Sequence, residues 1–162
     1  MKCFLKFNLL FLMILLVSCN NKQPDKTKGQ NAGVVFPKGD KIDNNNFTGT
    51  AWLQMLVIND STYNTSIGNV TFEPGARTNW HKHSGGQILL VTDGQGYYQG
   101  KGMPVQRIQE GDVIRIPPDT EHWHGASPDK ELTHIALNPN LNKGSVVWLQ
   151  PVTAEEYNQS SK

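Results

Sequence analysis

The chain has 162 residues, with 15 Lys+Arg against 14 Asp+Glu, a formal net charge of +1 and 18% charged residues. That is about the length of one ordinary domain, and the balance excludes a protein driven by an acidic or basic tail. With no Lys/Arg cluster to follow a phosphate backbone, nucleic acid is excluded as a partner; 2 Cys exclude a disulfide-rich scaffold, and 15 Gly with 9 Pro suit a turn-rich β protein better than a helical bundle.

At the N-terminus, Lys2 and Lys6 precede an unbroken apolar run from Leu9 to Val17. A bilayer core of ~30 Å takes ~20 residues to cross, so the run is too short to span it and has the length and charge pattern of a signal-peptide core. It ends in Leu16-Val17-Ser18-Cys19. This resembles the bacterial lipoprotein signal, in which small residues precede a Cys that is lipidated and becomes the new N-terminus. The expectation is a signal peptide over residues 1–18 and a lipid on Cys19. The protein would then be exported to the bacterial cell envelope and meet the membrane through that lipid alone. Cleavage removes Lys2 and Lys6 and takes the net charge from +1 to −1. It also removes Cys3, so no disulfide can form within the mature chain. Residues 19–33 are polar and rich in Asn, Lys, Gln and Gly, the composition of a flexible tether. A single domain is expected over residues 34–162.

Within that domain, Thr50–Ile58, Ile67–Glu73, Gln87–Thr92, Gln95–Gln99, Val105–Gln109, Asp112–Ile116, Leu132–Leu137 and Ser145–Leu149 read as strands. They are short, carry β-branched and aromatic residues, and are separated by breakers such as Pro74-Gly75, Gly85-Gly86, Asp93-Gly94, Glu110-Gly111 and Pro117-Pro118. Only Thr153–Gln159 reads as a helix, with Thr153 as cap and Glu155-Glu156 in the first turn. No helices alternate with the strands, so an antiparallel sandwich or barrel is expected rather than a parallel α/β sheet.

The 5 His are His81, His83, His122, His124 and His134. Residues i and i+2 of a strand share a face, so each H-x-H pair can aim two rings into one cavity. Imidazole is the commonest metal-ligating side chain, and two such pairs on neighbouring strands point to a metal site.

The spacing Gly75-x5-His81-x-His83-x3-Gln87-x6-Gly94 resembles the first cupin motif, with Gln87 where Glu is usual. Gly111-x5-Pro117-x-Asp119-x2-His122 resembles the second, with Asp119 in place of Gly and Ala126 in place of Asn. Asp tolerates a left-handed turn, so the Gly replacement should be cheap. The resemblance implies an all-β double-stranded β-helix (jelly-roll) barrel, here with a short C-terminal helix. The metal ligands it implies are His81, His83, Gln87 and His122.

A closer resemblance is to the bacterial cupin hydroxynitrile lyases and to cupins associated with carboxymuconolactone decarboxylases. It is carried by Val70–Thr78, by His122-Trp123-His124-Gly125-Ala126 and by Thr133-His134-Ile135-Ala136. It implies a divalent metal, manganese first, with iron, nickel, cobalt or zinc also suited to such ligands. It also implies a small-molecule substrate such as a cyanohydrin, cleaved to an aldehyde and cyanide. His124, His134 and Thr78 are the candidate catalytic groups: the two histidines to move a proton, Thr78 to hydrogen-bond in the pocket. Three neutral imidazoles and a neutral Gln87 leave the charge of a divalent ion uncompensated, which strengthens it as a Lewis acid and disfavours its oxidation. Trp80 and Trp123 should face away from the site as packing groups, and Tyr97-Tyr98 should lie on the sheet surface. A cupin oxygenase and a non-catalytic, ligand-binding cupin are the competing readings. A homodimer or larger homo-oligomer is expected only from the habit of the family.

Overall fold

A computed structural model describes residues 35–158. The expected signal peptide, Cys19 and the tether lie outside the described residues.

The strands follow the breakers. After two short pairs of residues, β1 (Asp40–Lys41) and β2 (Phe47–Thr48), the long strands β3 (Ala51–Asp60) and β4 (Thr65–Phe72) form an antiparallel pair. Next come β5 (Arg77–Thr78), β6 (His81–His83), β7 (Gln87–Gly100), β8 (Gln106–Gln109) and β9 (Val113–Ile116). The chain closes with β10 (His122–Ala126), β11 (Leu132–Pro139), β12 (Val146–Trp148) and the helix α1 (Ala154–Asn158). The main path runs β1-β3-β4-β11-β7-β10-β5-β2, with β6 joining β10 to β12 and both β8 and β9 pairing with β7. Every pairing is antiparallel. The expected all-β class and the short C-terminal helix are both present.

The structure departs from the sequence expectation in two ways: β1, β2, β5, β6 and β10 are not among the expected strands, and one expected break is absent. Asp93-Gly94 reads as a break between two strands, yet Gln87–Gly100 is one continuous strand. Its first half pairs with β11 and its second half with β10. The bend is taken up by a register shift opposite Thr133/His134 and by Gly94 at φ 77°. A Cβ on Gly94 would stand 1.9 Å from the Glu131 carbonyl oxygen, so only glycine lets the strand turn from one sheet into the other.

Two apolar clusters result. Phe72, Leu89, Val91, Ile108, Ile114, Ile116 and Leu132 fill the barrel. Trp80, Tyr97, Trp123, Val152 and Tyr157 form a second cluster on the other face of β10. Alternation along β10 explains the split: His122 and His124 face the barrel, while Trp123 turns outward and donates its indole N–H to Gln99 Oε1 at 2.9 Å. Trp80 and Trp123 are thus the packing groups expected. Tyr97 is not sheet surface: it is buried against Tyr157, because α1 covers that face. The helix is held by a capping box, in which Thr153 Oγ1 accepts from Glu156 N at 3.1 Å and Glu156 Oε2 accepts from Thr153 N at 2.9 Å. Tyr157 O–H donates to the Ala126 carbonyl at 2.7 Å and ties the helix to β10.

Candidate metal centre

His81 and His83 extend from β6 to one side, and His122 from β10 stands opposite, in register with His81. The ligand atoms of His81, His83 and His122 all lie within 4.8 Å of one another, the one such histidine and carboxylate group found among the described residues. Local backbone contacts aim two of the three rings. His81 Nδ1–H donates to the Asn79 carbonyl at 3.0 Å, and His122 Nδ1–H donates to the Thr120 carbonyl at 2.8 Å. A carbonyl can only accept, so both rings carry their proton on Nδ1 and turn a bare Nε2 lone pair to the cluster.

Gln87 completes the arrangement from the start of β7. Its Nε2 donates to Asn138 Oδ1 at 3.0 Å, and its carbonyl Oε1 lies 3.0 Å from His122 Nε2. Two acceptor atoms therefore face each other across a buried gap. Lone pairs so opposed repel unless a cation lies among them, and three imidazole nitrogens with one amide oxygen form a donor set that suits a divalent metal. The residues fit the ion that the motif spacing implies.

Burial keeps these rings neutral. Desolvation, reinforced by the His122 ring, lowers the pKa of His83 to about 4, and desolvation brings His122 to about 4 as well. His81 is held well below the usual histidine range, first by desolvation and then by His122. Neutral imidazole is the ligating form, so the fold presents the centre ready to bind near neutral pH.

A cavity of about 200 Å³ opens beside the cluster. Its wall includes His81, His83, Gln87, His124 and Thr78 among apolar groups such as Phe47, Leu53, Met55, Val70, Phe72 and Trp148. His124 sits in this wall with Nε2 buried and without a protein partner. His134 stands behind it, fully buried, with Nε2 3.2 Å from His124 Nδ1. Desolvation lowers His134 to about 4 and holds His124 well below its ordinary value. Between two neutral rings a single proton is shared, so His124 Nε2 carries either a lone pair or an N–H according to which ring donates.

Thr78 lines the same cavity, but its hydroxyl is engaged by the backbone of His124. It donates to the His124 carbonyl and accepts from the His124 amide, both at 3.2 Å. It fixes the strand that carries the histidine. His122 is oriented by the Thr120 carbonyl rather than by His124.

Several site groups escaped sequence reasoning. Trp148 lies over His81 at 4.9 Å between ring centroids, because β12 pairs β6 with Trp148 opposite His81. Phe72 stands edge-on to His124 at 5.7 Å and 5.6 Å from His134. Tyr98, expected on the surface, faces inward with its ring 6.0 Å from His122. Asn138 was within reach of the two-residue period: on β11 it shares a face with His134.

Comparison with known proteins agrees with this geometry. Residues 68–137 match the family model of the cupin domain. An (R)-mandelonitrile lyase from Granulicella tundricola is 43% identical over 111 residues, covering 68% of this chain and 85% of the relative. Among solved structures, a cupin-like protein of Thermotoga maritima is 48% identical, with a TM-score of 0.77 over 78% of this chain and 96% of that one. A cupin 2 conserved barrel domain protein from Rhodopseudomonas palustris, 17% identical with a TM-score of 0.55 over 72% of this chain and 78% of that one, shares the fold alone. With the barrel, the three-histidine cluster and these relatives in agreement, the chain belongs to the cupin family.

Proposed function

We propose that the protein is a metal-dependent lyase acting on a small hydroxy compound, and that the compound is a cyanohydrin of the kind the name of its Granulicella relative specifies. The observation that carries this reading is the unpartnered, buried His124 Nε2 in the wall of the cavity that His81, His83 and Gln87 of the metal centre also line. A proton-handling group and a Lewis-acid site beside one small cavity are what cleavage next to a hydroxyl requires.

A divalent ion held by His81, His83, His122 and Gln87, manganese first, would supply Lewis acidity toward the negative charge that develops as the bond breaks. His124 does the proton work. With its own proton on Nδ1 and donated to His134 Nε2, it receives the hydroxyl proton at Nε2. The carbon–oxygen bond becomes double, the carbon–carbon bond to the nitrile breaks, and its electron pair leaves with cyanide. His124 then returns the proton to cyanide. Nothing is oxidised or reduced. The apolar wall of Phe47, Leu53, Met55, Val70 and Phe72 seats the organic substituent and keeps water from the reacting bond.

Gln87 supports lysis over oxygen activation, because a neutral ligand set leaves the ion its full charge and disfavours its oxidation. The placement at the cell envelope rests on the Leu9–Cys19 pattern; Cys19→Ser should abolish labelling by a fatty-acid probe, and persistent labelling would remove the anchor.

Cyanide release from mandelonitrile, above the spontaneous rate and without oxygen uptake, is the expected result. Oxygen consumption with a phenolic or diketone substrate and no cyanide would make the protein an oxygenase. A metal-loaded protein inert in both assays would make it a binding cupin.

A further inference from the structure

Gln87 differs from the glutamate usual at its position in having two unlike ends. Only the carbonyl oxygen can ligate a metal; the NH₂ group has no lone pair to offer. A carboxylate has two equivalent oxygens and meets no such problem. A centre built on Gln87 therefore needs a device that keeps the oxygen inward.

Asn138 supplies it. Its Oδ1 accepts from Gln87 Nε2 at 3.0 Å, which directs the amide nitrogen away from the histidines and leaves Oε1 beside His122 Nε2. Asn138 is held in place in turn: its Nδ2 donates to Ser66 Oγ at 3.2 Å, and Ser66 is its direct cross-strand partner on β4. Each of these two amide N–H₂ groups thus meets an oxygen, and the orientations of Gln87 and Asn138 are coupled through the bond between them. Reversing Gln87 alone would set its nitrogen against the metal position and oppose its oxygen to Asn138 Oδ1.

We propose that Asn138, held by Ser66, is a positioning residue that selects the ligating orientation of Gln87 and thereby allows glutamine to serve where a carboxylate would need no guide. This rests on reading the three-histidine cluster as a metal centre.

The test is a coupling cycle on metal affinity, read by titrating Mn²⁺ alone into metal-free protein. Asn138→Leu should weaken Mn²⁺ binding by about 10–100-fold, the usual effect of losing a group that orients a ligand. The same change in a Gln87→Glu background should shift affinity by less than about threefold, because either carboxylate oxygen can ligate. Asn138→Ala, which adds no bulk, repeats the comparison should the leucine variant not fold; thermal unfolding of the metal-free proteins identifies which variants are folded. Equal losses in both backgrounds would show a merely structural contribution and overturn the proposal, as would wild-type affinity in Asn138→Leu. A wild-type protein that binds no Mn²⁺ would sink the metal centre itself, and with it the positioning role.

Discussion

At the scale of single residues, the proposed lyase divides the centre into groups that would hold a charge and groups that would move a proton, and mutation should separate the two. His124→Ala and His134→Ala should each lower turnover of mandelonitrile by at least ~100-fold, the scale of a lost acid–base group, while the protein keeps its metal. Full activity in His134→Ala would take that residue out of the relay and leave His124 to act alone. Gln87→Glu tests the charge argument differently. It should retain metal and lose lyase activity by about tenfold or more, since a carboxylate cancels one unit of the charge that stabilises the leaving anion; unchanged activity would sink the electronic role of the amide. The histidines were legible in the sequence because a strand converts a spacing of two into a shared face. Trp148 and Phe72 were not, since Trp148 reaches His81 by pairing of distant strands and Phe72 reaches His124 only by packing inside the barrel.

At the scale of elements, the turn before β10 shows how a local conformation places a candidate ligand. Thr120 N–H donates to the Pro117 carbonyl at 3.3 Å, and Asp119, after Pro118, adopts φ 57°. That is a turn with proline at its second residue and a left-handed third residue, the position where glycine is favoured and aspartate tolerated. The turn presents the Thr120 carbonyl to His122 Nδ1, and the Asp119 N–H donates to the His83 carbonyl at 2.9 Å, so it braces candidate ligands on both strands. Asp119→Gly should change unfolding free energy by less than ~1 kcal/mol, since relief of the left-handed strain is offset by the added freedom of the unfolded chain; Asp119→Val should destabilise by ~1–2 kcal/mol. Denaturant unfolding of both variants checks this, and a glycine variant worse than the valine would refute it. Most strands and the helix were readable from breakers and caps. The continuity of β7 was not, because Asp93-Gly94 signals a turn locally and only the pairing of its halves with β11 and β10 keeps the strand whole.

For the molecule as a whole, the centre has a cost in stability that depends on pH. His83, His122 and His134 have folded-state pKa values of about 4 against 6.5 for an ordinary histidine. Above 6.5 the rings are neutral in both states and contribute no pH dependence. Below it the unfolded chain binds protons that the folded barrel refuses, so stability falls as the pH drops toward about 4. The melting temperature of metal-free protein should decline through that interval, and a flat profile would contradict the burial of neutral rings.

The whole account turns on whether the three histidines hold a divalent ion. Elemental analysis of the purified protein, wild type beside His122→Ala, asks this most directly. The account predicts close to one divalent metal ion per wild-type chain and its loss from the folded variant. A wild-type protein that stays metal-free after incubation with manganese, iron, nickel, cobalt and zinc salts, or a His122→Ala protein that keeps its metal, would contradict it.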